Sequence, residues 1–195
     1  MCARYFLNIE EHENETISEE IRRRYKDSEI TARLGGQIVP SLPAPVLCRD
    51  RKGGSGYFLM KFGLPTRDSR IINARSETAC EKPMFRPLIE SSRRCLIPAS
   101  SYTEWEKQGK QRIPYEFKAP DARLLYFAGL YRLDGKDSLA SFVILTRNAP
   151  TEFNHIHDRM PLILTPEEQK RWLFSDHDYK ELLSKGQTDL VYARS

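Results

Sequence analysis

Apolar and polar positions along the chain follow two rhythms. Tyr5-Phe6-Leu7 is a short apolar run of the kind that forms a buried first strand, and an acidic stretch follows it at once. Ile17, Ile21 and Tyr25 then recur at helical spacing behind Thr16-Ile17-Ser18-Glu19, which has the form of a capping box, so a surface helix is predicted from about Ser18 to Lys26. Residues 35–45 are dense in Gly and Pro and read as irregular, while residues 49–56 form a polar turn feeding a strand over Tyr57–Phe62. Beyond it, short apolar or alternating runs predict strands at about Arg70–Asn73, Cys95–Pro98, Tyr102–Glu106, Tyr115–Lys118, Leu124–Leu130, Phe142–Thr146 and Leu162–Leu164. Pro83 and Pro87 limit residues 78–89 to short helical turns. Thr165-Pro166-Glu167-Glu168 joins an N-cap, a first-position proline and an acidic first turn, so a helix is predicted to start there and to bury Trp172 and Leu173. Many short strands with few helices give an α+β class with strongly curved, mostly antiparallel sheets, in one domain over residues 1–195.

Composition changes this picture little. With 39% hydrophobic and 30% charged residues in 195, the chain is not collagen-like, coiled-coil or low-complexity. No apolar run approaches the ~20 residues of a membrane span, and the start lacks the basic segment and long apolar stretch of a secretory signal. A cytoplasmic protein without a membrane partner is therefore expected. The four cysteines form no Cys-x-x-Cys pair, so neither a disulfide scaffold nor a zinc ribbon is indicated. The net charge of +4 is uneven: residues 61–118 carry 12 basic against 7 acidic side chains, with Arg outnumbering Lys. Guanidinium groups suit phosphates, but on charge alone a solvated basic face explains this excess as well.

Four places carry candidate chemistry. Cys2 follows the initiator methionine and is small enough for that methionine to be trimmed, which leaves a thiol and an α-amine on one residue. With ordinary pKa values of ~8.5 and ~7.7–8.0, some thiol is ionised and some amine neutral at pH 7. Such a 1,2-aminothiol condenses with an aldehyde to an imine and closes to a thiazolidine; the plainer reading is an ordinary cysteine at a chain start. Asn73 and Arg75, in Asn-Ala-Arg, place an amide and a guanidinium at a strand end, where they fit either a phosphate grip or a turn with a surface salt bridge. Strand alternation puts Tyr102, Glu104 and Glu106 on one face and Thr103 and Trp105 on the other. Glu104 against aromatic surface gains a raised pKa suited to proton transfer, and its alternative is a solvent-facing strand glutamate. His155-Ile156-His157-Asp158-Arg159 gathers two imidazoles, a carboxylate and a guanidinium before a strand. It suits a proton shuttle better than a metal site, because no thiol pair or acidic cluster nearby completes a ligand set.

Together, Cys-x-Arg at the start, Ile-Asn-Ala-Arg-x-Glu-Thr at 72–78, Arg-Arg-Cys-Leu-Ile-Pro-Ala at 93–99, Glu104-Trp105 and Ile-His-Asp-Arg-Met-Pro at 156–161 resemble, in order and spacing, the SRAP family of SOS-response-associated peptidases, or abasic-site processing proteins. The resemblance runs from Cys2 to about Trp172. It implies a barrel-like β core with flanking short helices, a basic groove for single-stranded DNA, and covalent capture of abasic sites without a metal or other cofactor. By position it implies Cys2 as nucleophile, Asn73 orienting Cys2 and the opened sugar, Glu104 as proton donor and acceptor, and His157 assisting ring opening and the reverse reaction. Arg4, Arg75 and Arg159 would hold phosphates, and Trp105 and Thr146 would line the DNA groove. The peptidase name implies removal of Met1 by the same site. Three departures stand out: Ala3 where the family has glycine, Gln37 for an asparagine three residues before Pro40, and Phe62-Gly63-Leu64-Pro65-Thr66-Arg67 for a tryptophan-bearing segment. An amidohydrolase using Cys2 on small amides and a non-catalytic single-strand binding module are the alternatives. Neither predicts a covalent adduct specific to abasic DNA.

Overall fold

The computed structural model describes residues 2–8, 15–26, 34–121, 123–135, 139–177 and 179–195. The first half contains β1 (Tyr5–Leu7), α1 (Glu15–Arg24), β2 (Gly36–Ile38), β3 (Pro43–Arg49), β4 (Ser55–Phe62), β5 (Leu64–Pro65), β6 (Arg70–Ile71), β7 (Asn73–Arg75) and α2 (Arg86–Glu90). There follow β8 (Arg94–Ala99), β9 (Ser101–Gln108), β10 (Gln111–Lys118), β11 (Leu125–Arg132), β12 (Ser141–Asn148), β13 (Arg159–Pro161), α3 (Pro166–Phe174), α4 (Tyr179–Leu182) and β14 (Val191–Arg194).

Two sheets form the body. One is wholly antiparallel in the order β14-β10-β9-β1-β2. The other runs β11-β8-β3-β4-β12-β13, and a further pairing of β11 with β12 bends it into a ring. Among the described residues, only the pairings of β12 with β4 and with β7 are parallel. The α+β class and the mostly antiparallel sheets match the sequence pattern, and where a barrel-like core is expected the structure has this ring-like sheet. Tyr5, Phe62, Tyr102, Phe127 and Phe142 fill the principal core, Tyr5 meeting Phe62 and Phe127 edge-on at 5.9 and 6.0 Å. A second core lies under the C-terminal helices, with Trp172 and Leu173 buried as predicted. There α3 starts on a full capping box of Thr165 and Glu168. Among the described residues no helix is long and apolar enough to cross a membrane.

Several boundaries differ from the pattern-based reading. α1 begins at Glu15, so Thr16 lies inside the helix and does not cap it. β3 occupies the Pro-rich stretch read as irregular; β8 joins its second edge only at Leu47 and Cys48, leaving that edge unpaired beside Pro43 and Pro45, whose missing N–H groups therefore break no ladder. The predicted strand 70–73 divides into β6, paired with β5, and β7, paired with β12. Gly63, at φ 95°, makes the turn that releases β5 from β4; a Cβ there would come within 3.0 Å of Arg70 Cβ. The run Leu162–Leu164 is buried but spans two strands, Leu162 N donating to Leu145 O and Leu164 N to Tyr126 O, and the regular strand is β13 just before it.

Arg94 is buried between α3 and β8. Its Nε donates to Trp172 O and its Nη2 to Ser175 O, both at 2.6 Å, which satisfies carbonyls at the end of α3. Its guanidinium also lies 4.6 Å from the Tyr179 ring centroid. Arg94→Ala orphans those carbonyls and empties the site, so a loss of about 3 kcal/mol is expected. Urea unfolding of wild type and variant reads it directly.

Candidate active site

β1 lies inside the first sheet, Tyr5 standing opposite Tyr102 of β9 and Ile38 of β2. Thr103 N donates to Arg4 O at 3.1 Å, which continues the pairing toward the start of the chain. This carries Cys2 into the principal core, where its side chain is fully buried. Asn73 is fixed by the parallel register of β7 with β12, opposite Ile144. Its Nδ2 donates to the Cys2 carbonyl at 2.9 Å, while its Oδ1 is buried with no hydrogen-bond partner among the described residues. Such an acceptor is costly unless a ligand uses it.

Glu104 is only 3% exposed. It stands opposite Tyr115 of β10, and burial raises its pKa to about 7, with the nearby Asp158 carboxylate adding to the shift. Burial likewise pushes the Cys2 thiol far up, and the negative charge of Glu104 adds to it. The partly ionised thiol expected from unperturbed values is therefore corrected: inside this fold Cys2 keeps its proton, and any reaction must remove it during the chemistry. Glu104, poised near neutrality, is the carboxyl group whose charge the Cys2 thiol feels.

His157 follows the 3₁₀ turn Thr151–Phe153. Its Nδ1 accepts the Arg159 backbone N–H at 3.0 Å and lies 2.9 Å from Asp158 Oδ1. The Arg159 N–H calls for a bare Nδ1 and the Asp158 carboxylate for a protonated one, so both tautomers of the ring have a partner at this nitrogen. Burial lowers its pKa below the ordinary value, which keeps it neutral at pH 7. Around this centre Arg4 sits 5.1 Å from the Trp105 ring centroid, both half-buried, and Arg75 is exposed at the end of β7. A groove of about 600 Å³ lined by Pro40, Pro65, Arg67, Arg70 and Ile72 adjoins Asn73 in sequence. The Pro40 loop and residues 65–70 thus meet in one place.

Thr146 and Arg159 lie inside the protein. Thr146 is fully buried, with its Oγ1 donating to Ala74 O at 3.5 Å. Arg159 is 7% exposed and forks onto Glu77, its Nη1 and Nη2 donating to the two carboxylate oxygens at 2.7 and 2.8 Å. Nη2 also donates to Thr146 O at 2.6 Å, and Nη1 to Asn148 Oδ1. The guanidinium expected on a phosphate is thus engaged inside the protein, tying β13 and β12 to the turn after β7. Glu77 was the residue passed over: it lies within the Asn-Ala-Arg-x-Glu motif, but the motif does not distinguish a surface carboxylate from one that receives a buried arginine.

The Arg159 side chain holds the Glu77 carboxyl below the ordinary range. A lowered folded-state pKa contributes stability above the unfolded value near ~4.3 and loses it as pH falls through the folded value. Wild type should therefore lose stability between pH 5 and pH 3, and Glu77→Gln should flatten that slope while costing about 1–2 kcal/mol at pH 7, the pair being half-open to solvent on the Glu77 side. Thermal melts across that pH range test both.

The sequence profile of the SOS response associated peptidase (SRAP) family matches residues 1–193. The abasic site processing protein YobE of Bacillus subtilis is 43% identical over 122 residues, 58% of this chain and 55% of that protein. The abasic site processing protein YedK of Escherichia coli is 34% identical over 113 residues, 57% of this chain and 50% of that protein. The aligned part thus spans about half the length of these relatives. A protein of Bacteroides thetaiotaomicron of known crystal structure superposes with a TM-score of 0.78 at 23% identity, covering 99% of this chain and 91% of that one; this likeness concerns the fold.

Proposed function

The chain belongs to the SOS response associated peptidase (SRAP) family, and on that premise we propose that it captures abasic sites in single-stranded DNA through a covalent bond to Cys2. The observation that carries this reading is the Asn73 amide clamped on the Cys2 carbonyl beside a buried carboxyl group poised near neutrality.

An abasic sugar rests as a cyclic hemiacetal. Glu104, protonated in part at pH 7, gives its proton to the ring oxygen from one carboxyl oxygen and takes up the C1 hydroxyl proton on the other, and the ring opens to an aldehyde. Removal of Met1, which the proposal assigns to this same site, frees the α-amine. The amine condenses with the aldehyde and expels water, leaving an imine. The Cys2 sulfur then adds to the imine carbon, its proton passing through the Glu104 carboxylate to nitrogen, and a five-membered thiazolidine closes without any oxidant or reductant. Asn73 holds the Cys2 backbone in line, and its unused Oδ1 is placed to accept from the amine or a sugar hydroxyl. Neutral His157 assists ring opening and reversal. Arg4 and Arg75 take phosphates, Trp105 offers a ring to a base, and the groove at Pro65 and Arg70 receives the flanking strand. Closure to a thiazolidine removes the imine that invites strand cleavage by β-elimination, so the adduct shields the lesion.

Intact mass of the purified protein before and after an abasic oligonucleotide is the test. Loss of Met1, followed by a mass increase equal to the strand minus one water, supports the proposal. An unchanged mass with tight binding to abasic and intact strands alike overturns it in favour of a binding module.

A further inference from the structure

The register of the first sheet sets two rows of side chains across its strands. Glu104 of β9 stands opposite Tyr115 of β10, which stands opposite Arg194 of β14; Tyr102, Phe117 and Tyr192 line up in the neighbouring row. Cross-strand partners share a face, so Arg194 and Tyr192 lie on the face of Glu104, two strand spacings or about 10 Å away. Each row begins buried at β9 and emerges at β14, where Tyr192 is 40% exposed.

This emerging edge is built from rings. Tyr192 stacks on Phe117 at 5.3 Å and meets Phe153 edge-on at 5.5 Å, which holds its ring while leaving part of it open. Exposed His155 lies 6.1 Å from Tyr192 and 6.3 Å from Tyr115, two residues before His157. Arg194 donates from Nε to Tyr115 Oη at 3.0 Å, and that hydroxyl donates to Glu106 Oε2 at 3.0 Å. The Nη groups of Arg194 make no hydrogen bond or ion pair among the described residues. Glu106, which shares this face with buried Glu104, is engaged by Tyr115 and by Gln108. None of Tyr192, His155 or Arg194 has a task in the chemistry at Cys2.

We propose that Tyr192, His155 and Arg194 form a subsite for a nucleotide flanking the captured one, the rings taking a base and the Arg194 Nη groups a phosphate. The assignment rests on the reading of the chain as a single-strand DNA protein. Its chemistry is that of an aromatic platform beside a braced guanidinium, which suits a stacked base and its phosphate in any sequence.

Binding of an undamaged, fluorescently labelled single strand, followed by anisotropy at several salt concentrations, isolates this subsite from capture. Arg194→Gln should lower the slope of log affinity against log salt by about 0.7, the value of one phosphate contact on a single strand. Tyr192→Ser should weaken binding by about 5- to 150-fold, corresponding to one stacked base, while Tyr192→Phe should bind like wild type. A wild-type slope for Arg194→Gln, or full affinity for Tyr192→Ser with an unchanged melt, overturns the subsite. If Tyr192→Ser fails to fold, exposed Arg194→Gln still decides. Normal adduct formation with both variants binding as wild type sinks the subsite alone. A wild type that binds strands through these residues yet forms no abasic adduct sinks the capture reading alone.

Discussion

Cys2→Ala protein is expected to form no denaturation-resistant adduct with an abasic strand while binding that strand within about threefold of wild type. Alanine has no sulfur either to remove Met1 or to trap an imine carbon, so even if Met1 is trimmed by other means and the freed amine forms an imine, the link hydrolyses when the protein is denatured. Affinity survives because phosphate and base contacts come from other residues, and a methyl group in place of a buried thiol keeps the core packed. Denaturing gels and anisotropy on one preparation separate the two quantities. A stable adduct from Cys2→Ala would end the thiazolidine assignment. Cys2→Ser should fall between, since a hydroxyl closes the ring less favourably.

Glu104→Gln should slow capture of the cyclic sugar by roughly 10²- to 10⁴-fold, the usual contribution of a positioned acid–base group. The amide keeps the shape and polarity of the side chain but neither gives nor takes a proton. A substrate whose sugar is already an open-chain aldehyde should restore much of the rate, and an absence of rescue would remove Glu104 from ring opening. The wild-type rate should decline as pH rises through about 7, where Glu104 loses its proton, and the variant should lack that limb. Stability follows the same sign. A folded-state pKa above the unfolded ~4.3 favours folding fully at low pH, and that contribution disappears as pH rises through the folded value. Wild type should lose on the order of 3 kcal/mol between pH 4 and pH 8 that Glu104→Gln keeps.

Features written in neighbouring residues were the legible ones. The Thr165 cap, the β4 and β9 strands and the burial of Trp172 each depend on a few adjacent positions, and each was read correctly. The meeting of Cys2 with Asn73 was accessible only through the motif order, because the bond joins residues 71 positions apart. β3 was hidden by its prolines, which are harmless only because one strand edge is unpaired there, and β14 by its brevity and exposure. The Arg159–Glu77 fork eluded sequence reading for a different reason. A guanidinium near a DNA groove and one buried on a carboxylate have the same letter, and burial alone tells them apart.

The position of β1 between β9 and β2 also bears on how the molecule is made. Tyr5 waits for Tyr102, almost a hundred residues later in the chain. At a synthesis rate of ~5–20 residues per second, that partner leaves the ribosome at least about 5 s after Cys2 does, and the long loop slows closure further. Through this interval the nascent chain carries an unshielded cysteine whose thiol has its ordinary acidity. The reactive residue is therefore at its most vulnerable to stray cellular aldehydes and oxidants before the sheet that shelters it exists.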